Sequence, residues 1–240
     1  MKRIEPTISV IIPVYNEERT ISSIIELFRT WGRALEIIIV NDGSSDKTLG
    51  ALAQFGNSIT VISYKKNRGK GYAVYKGVTK STGEILFFFD GDVVGATHKD
   101  FNAIVEPLLS NRADMSLGAA RFWSVGSFEP FKDVTGLRAV RRHIVHPVVA
   151  SLMNVGYGVE FFLNDLHKDK RVATVKLAHV YILGKWAKQT APDAILAYAV
   201  EVKDLVSQLV VQQATDLPPA TMRALRTLLK HLVRVLDYFP

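Results

Sequence analysis

Short apolar runs alternate with helical stripes through the first half of the chain. Ile8 to Tyr15, Leu35 to Asn41, Ile59 to Tyr64 and Glu84 to Phe89 are rich in Ile, Val, Phe and Tyr and are bounded by Asn, Asp and Gly. That is the pattern of strands buried on both faces of a parallel sheet. Between them, Ile21, Ile24, Ile25, Phe28 and Trp31 recur at helical spacing behind Asn16, a residue suited to cap a helix, and Phe101, Ile104, Val105 and Leu108 repeat the spacing. The alternation predicts an α/β fold: a mostly parallel sheet flanked by helices. Further on, Met115 to Phe122 and Val172 to Tyr181 read as strands, Trp123 to Thr135 as a loop, and the stretch holding Arg138, Arg141, Arg142 and His143 as a basic helix. Two last stripes, Ile195 to Leu209 and Met222 to Leu236, flank Pro218-Pro219 and predict a C-terminal helical hairpin over 191–240, after a main domain over 1–190.

Composition narrows the picture. With 240 residues, 48% of them hydrophobic, the chain can bury one substantial core. It has no cysteine, which excludes disulfides, thiolate metal sites and a cysteine nucleophile and favours a cytoplasmic setting. The N-terminus lacks the features of a signal peptide, and no apolar run approaches the roughly 20 residues of a membrane span. A net charge of +7 favours anionic partners, while no nucleic-acid-binding module is recognisable. Arg223, Arg226, Lys230 and Arg234 share one side of the last helix, which reads as a solvated face or as a peripheral contact with the membrane.

In open α/β sheets ligands bind where loops leave the carboxyl ends of strands. That rule gathers Asn16 to Glu18, Asn41 to Asp46 and Asp90 to Val93, each following an apolar run and each carrying carboxylates or amides. Asp90-Gly91-Asp92 offers two hard oxygen donors one residue apart, with Gly91 allowing close backbone approach, and so suits Mg²⁺ or Mn²⁺. The same tripeptide is common in turns, so its context decides. Lys70, between Gly69 and Gly71, suits a diphosphate; an ordinary exposed lysine is the plain alternative.

The context is a set of linked motifs. Ile8-Ser9-Val10-Ile11-Ile12-Pro13-Val14-Tyr15-Asn16-Glu17-Glu18, then Glu36 to Thr48 with Asn41-Asp42-Gly43-Ser44-Ser45-Asp46, then Asn67-Arg68-Gly69-Lys70-Gly71, then Asp90-Gly91-Asp92, resemble glycosyltransferase family 2 in order and spacing. The resemblance implies a GT-A (Rossmann-like) fold with a nucleotide-sugar-binding half over 1–113 and an acceptor half over 114–190. It implies that Pro13, Tyr15, Glu17, Asp42, Lys70, Asp90 and Gly91 hold a UDP- or GDP-sugar. Asp90 and Asp92 would bind the metal, Asp92 at the catalytic centre, with His179 completing the set; a histidine satisfied within a strand is the alternative for His179. Asp42 can accept a base N–H and Tyr15 can stack, whereas Asp46 reads chiefly as a helix cap.

Gly156-Tyr157-Gly158-Val159-Glu160 with Leu163-Asn164-Asp165-Leu166 is similar to the acceptor-side segment of polyprenyl-phosphate sugar transferases and of glucosyl-3-phosphoglycerate synthases. Glu160 or Asp165 would then serve as general base or merely orient the acceptor, and Arg138, Arg141 and Arg142 would bind a phosphorylated or lipid-phosphate acceptor. The implied partners are donor, acceptor, a peripheral membrane contact and a second copy of the chain, with no nucleic acid. A soluble transferase acting on a small phosphorylated metabolite or a polysaccharide, and a receiver-like regulatory module, stand as alternatives.

Overall fold

A computed structural model describes residues 5–121 and 135–182 together with Lys203. The predicted C-terminal hairpin and most of the Trp123 to Thr135 loop lie outside these residues. The strands are β1 (Ile8–Val14), β2 (Ala34–Asn41), β3 (Thr60–Ser63), β4 (Ile85–Phe88), β5 (Val93–Val94), β6 (Met115–Arg121), β7 (Arg138–Arg141) and β8 (Val172–Ile182). The helices are α1 (Ile21–Trp31), α2 (Thr48–Ala53), α3 (Lys70–Lys80), α4 (His98–Leu109), α5 (Arg142–Val145) and α6 (Val159–Leu166), with a 3₁₀ segment over His146–Asn154.

The eight strands form one sheet in the order β3-β2-β1-β4-β7-β6-β8-β5. β3, β2, β1 and β4 are parallel neighbours, as the apolar runs require. Beyond β4 the sheet is mixed: β7 runs antiparallel to both β4 and β6, and β8 is parallel to β6 but antiparallel to β5. The strands of the first half are apolar at successive positions because both faces are covered. Val10, Ile12, Ile85, Phe87 and Phe89 pack with α1 and α4, whereas Ile11, Leu86 and Phe88 pack with Val74 and Val78 of α3 and Leu163 of α6. An aromatic cluster fixes the first layer: Phe28 stacks on Phe101 at 4.1 Å, and Phe87 and Phe89 meet Phe101 edge-on.

Two local expectations change. Asn16 does not cap α1, whose cap position is Thr20; Asn16 instead adopts φ 57° in the loop before the helix. Arg138 to Arg141 form a strand, and only one helical turn follows from Arg142. Wedged between β4 and β6, this segment gains ladder hydrogen bonds on both sides, which outweighs a helical preference worth tenths of a kcal/mol per residue.

At the bottom of the sheet Arg171 bonds both oxygens of Asp114, at 2.8 and 3.0 Å, and joins the start of β8 to the start of β6. Hydrogen bonds from Arg171 hold the Asp114 carboxyl down at about 2, against an ordinary value of 3.8. A depressed carboxylate stabilises the fold above its unfolded pKa, and that contribution is lost as pH falls from about 4 through 2. Asp114→Asn is therefore expected to lower stability by about 1 kcal/mol at pH 7, the exposed arginine screening the pair. Urea unfolding curves of variant and parent should draw together as pH falls from about 4 towards 2.

Candidate active site

The loops after β1, β2 and β4 meet at one end of the sheet, and hydrogen bonds make the first two a single unit. The Asn16 N–H donates to Ser44 Oγ, the Glu17 N–H to Thr48 Oγ1 and the Glu18 N–H to Asp46 Oδ2. In return Asn16 Oδ1 accepts the Ser45 N–H, and Glu18 Oε2 accepts the Lys47 N–H. Asp46 also accepts the Thr48 N–H at 2.9 Å, but the cap position of α2 is Lys47, one residue further on, and it makes no side-chain cap hydrogen bond. Ser44 holds the first loop through the Asn16 N–H.

Asp42 is buried, and its two oxygens accept the backbone N–H groups of Arg68 and Gly69 at 2.7 and 2.9 Å. Burial raises its pKa despite those bonds. Both carboxylate oxygens thus already hold the third loop against the second, so that Gly69, at φ 89°, opens α3 with Lys70 aimed inward. Gly43 shares this contact, since a Cβ there would lie 2.7 Å from the Asn67 nitrogen. Tyr15 is exposed at the rim, and Pro13 lies in β1 beside Val40 of β2.

At the centre, Lys70 Nζ sits 2.7 Å from Asp90 Oδ1 and 2.6 Å from Glu160 Oε1. The three side chains come from α3, the end of β4 and the first turn of α6. Glu160 therefore projects from a helix. Burial opposes the charge on Lys70, but Asp90 and Glu160 outweigh it and raise its pKa. Burial likewise opposes ionisation of Glu160, yet Lys70 and Arg138 hold its carboxyl below the usual range. Asp90 shifts upward: burial leads, and repulsion from Asp92 and Glu160 adds to it beyond what Lys70 offsets.

The Asp90-Gly91-Asp92 turn is clamped from behind. The Thr20 hydroxyl donates to the Gly91 carbonyl at 2.5 Å, and a Cβ on Gly91 would come within 2.9 Å of Val14 and 3.1 Å of the buried Glu17 side chain. Glu17 thus packs beneath the turn. In front of it, a Cβ on Gly136 would collide with the Asp90 carboxylate. Neither Thr20 nor Gly136 stands out in the sequence, because only the tertiary approach gives them a role. Gly136→Ala is expected to push Asp90 off Lys70 and weaken donor binding by at least about tenfold, as a misplaced group costs; isothermal titration measures this directly.

Arg138 is 1% exposed and lies under Glu160. Its guanidinium donates to the Thr135 carbonyl, the Glu160 carbonyl and Asn164 Oδ1. It lines a small cleft together with Pro13, Lys70, Asp90, Gly136 and Glu160. The other acceptor-side candidates are elsewhere. Arg141 is at the opposite end of β7, bonded to the Leu108 carbonyl and 3.5 Å from Asp114; Arg142 follows it. Asp165 is exposed and faces Lys168 at 3.6 Å. His179 Nε2 bonds Asp100 Oδ2 at 3.1 Å, at the capping box of α4, and is not brought to the two aspartates.

Residues 9–150 match the family described as glycosyl transferase family 2. The chain belongs to glycosyl transferase family 2. Its curated family relatives include a 4,4'-diaponeurosporenoate glycosyltransferase of Staphylococcus haemolyticus, 31% identical over 42% of this chain and 28% of the relative. A dolichyl-phosphate beta-glucosyltransferase of Dictyostelium discoideum is 34% identical over 40% of this chain and 34% of the relative. An undecaprenyl-phosphate 4-deoxy-4-formamido-L-arabinose transferase of Serratia proteamaculans is 27% identical over 62% and 54%. The first two matches span about a third of the relatives' length. Among solved structures, glucosyl-3-phosphoglycerate synthase of Mycobacterium tuberculosis in complex with phosphoglyceric acid superposes with a TM-score of 0.66, covering 85% of this chain and 80% of that one at 23% identity. The same synthase with Mn²⁺, uridine-diphosphate and glucosyl-3-phosphoglycerate gives the same score. At that identity the likeness establishes the GT-A fold, as expected from the linked motifs.

Proposed function

We propose that this family 2 chain transfers a sugar from a nucleoside diphosphate sugar to a phosphate-bearing acceptor, with a divalent metal ion held by Asp90 and Asp92. The observation that carries this reading is the cluster at the end of β4, where Asp90 and Glu160 converge on one ammonium with Asp92 alongside. Asp92 and Glu160 both repel Asp90, which favours a further cation there, and two adjacent aspartates are a hard-oxygen donor set whose remaining positions suit phosphate oxygens and water. Among the described residues no group of three or more metal-ligating side chains is assembled, so the two aspartates would bind the ion with the donor's own oxygens. Mg²⁺ or Mn²⁺ there would supply charge to the departing nucleoside diphosphate, the electrostatic term that usually dominates such transfers.

The chain's own residues do the rest. The loop unit of 15–18 and 42–46 presents Tyr15 and backbone groups to the nucleobase edge. Asp42 positions Lys70 through the Arg68 and Gly69 amides. Once the donor's phosphates enter, Lys70 can turn from the carboxylates to the diphosphate, leaving Glu160 free beside the acceptor. Arg138 keeps Glu160 ionised, as a base or an acceptor-orienting group requires. An acceptor phosphate, with a second pKa of about 6, is already nucleophilic at neutral pH. The relatives named for dolichyl and undecaprenyl phosphate support a lipid-phosphate acceptor; the likeness to a phosphoglycerate-using synthase supports a soluble one equally in chemistry.

A thermal-shift panel of UDP-, GDP- and dTDP-sugars with and without Mn²⁺ tests the donor. At a hundred times its Kd the correct donor is expected to add about 2.7 kcal/mol of stability, and only with metal present. No metal-dependent shift with any of them would refute the reading and favour a regulatory module.

A further inference from the structure

Between Asp46 and Glu84 the chain carries seven Lys or Arg residues and no Asp or Glu. That one stretch equals the whole formal net charge of +7, since the other 23 cations are matched by 23 acids. Lys70 is used inside the cleft. Lys65, Lys66, Arg68 and Lys80 are exposed and Lys76 is half-buried. Among the described residues none of these five forms an ion pair.

The fold collects them on one face. The inner side of α3, namely Gly71, Ala73, Val74, Gly77 and Val78, is buried. Arg68, Tyr72, Lys76 and Lys80 recur every fourth residue on the outer side. The Arg68 guanidinium lies over the Tyr72 ring at 3.6 Å, and Lys76 Nζ is 5.8 Å from the same ring. Tyr64 and Tyr75 flank Tyr72 at 5.4 and 5.8 Å. Packed against α3 is the 3₁₀ segment, close enough that a Cβ on Gly71 would lie 2.5 Å from the Leu152 carbonyl oxygen. From Ile144 to Val159 that neighbouring stretch has no Asp, Glu, Lys or Arg, and Met153 on it is exposed.

We propose that this face, the 65–68 loop and the outer side of α3 with the adjoining 3₁₀ segment, docks on an anionic lipid surface. Clustered cations that repel one another and form no ion pair among the described residues are complementary to a plane of negative headgroups. Tyrosines between them, and an uncharged apolar neighbour, match the interfacial layer beneath those headgroups. A nucleic acid would match the cations but would leave the apolar border without a partner. From Arg68 to Lys80 the stripe runs about 18 Å, too long for one nucleotide substrate. Lys70 leads from the same loop into the cleft, so docking would set the cleft beside the membrane. The inference goes beyond the donor chemistry and is tested without donor or metal, so its failure would leave that chemistry standing.

The experiment is co-sedimentation of the full chain with phosphatidylcholine vesicles, with and without phosphatidylglycerol, across a salt series. Binding is expected only to the anionic vesicles and should fall as salt rises. The variant Lys65→Gln/Lys66→Gln/Lys76→Gln/Lys80→Gln should partition on the order of 1,000-fold more weakly. A control, Lys99→Gln/Lys168→Gln/Lys170→Gln/Lys176→Gln, removes the same charge from other exposed positions and should stay near the parent. Matching melting temperatures would show that both variants fold; if the first does not, Lys65→Gln/Lys66→Gln alone, in the loop, should still weaken partition at least about tenfold. Equal losses in first variant and control, full binding by the first variant, or a parent that binds an RNA oligonucleotide but no vesicle would overturn the proposal.

Discussion

Asp92→Ala is expected to abolish the metal-dependent stabilisation by donor while leaving the metal-free melting temperature within about 1 °C of the parent. Asp92 is half-buried, belongs to no hydrophobic cluster and repels Asp90, so its removal opens no cavity in the core and relieves that repulsion. What it removes is one of two carboxylate donors for a hard ion and with it the charge opposite the leaving diphosphate. Removing a comparable electrostatic stabiliser costs about 10²–10³ in rate, so transfer should fall at least that far. If Mn²⁺ and donor still raise the melting temperature of Asp92→Ala by the parent's full amount, the assignment of the metal to this turn is wrong.

Lys70→Met is expected to act in the opposite way, on the fold first. The ammonium is ion-paired with both Asp90 and Glu160, and each of the three side chains is less than one-fifth exposed. Taking one partner from a buried ionic cluster costs about 3–5 kcal/mol because the remaining charges stay desolvated. The melting temperature should therefore drop by well over 5 °C in the absence of ligands. Part of that loss should return on adding Mn²⁺, which supplies positive charge beside the same carboxylates, while affinity for the diphosphate should not return. A Lys70→Met protein as stable as the parent would show that the cluster is neutralised in some other way. Comparing Asp92→Ala with Lys70→Met in one melting experiment, with and without Mn²⁺, separates a metal ligand from a structural cation.

Much of the donor half was legible in local pattern. Each predicted strand from Ile8 to Phe89 agrees with β1 to β4 to within a residue or so at its ends, and α1 and α4 fall on their apolar stripes. Burial on both faces leaves an unbroken apolar run, and the strand must end where polar loop residues begin, so the sequence marks the strand's end and the site's location together. The acceptor half was less legible. A four-residue run with arginines at both ends carries too little periodicity to distinguish strand from helix, and its place between β4 and β6 decided the matter.

The sequence by itself determined which segments are strands, which are helices, and that acidic and glycine-rich loops gather at the strand ends, because those features follow from periodicity and local backbone preference. Only the tertiary structure decided which side chains meet. It brought Lys70, Asp90 and Glu160 together, committed the Asp42 carboxylate to the Arg68 and Gly69 amides, turned His179 to Asp100, buried Arg138 beneath Glu160 and made Gly136 a requirement of Asp90. These pairings join residues tens of positions apart, and their partners are set by strand order and helix packing, which no local stretch of chain encodes.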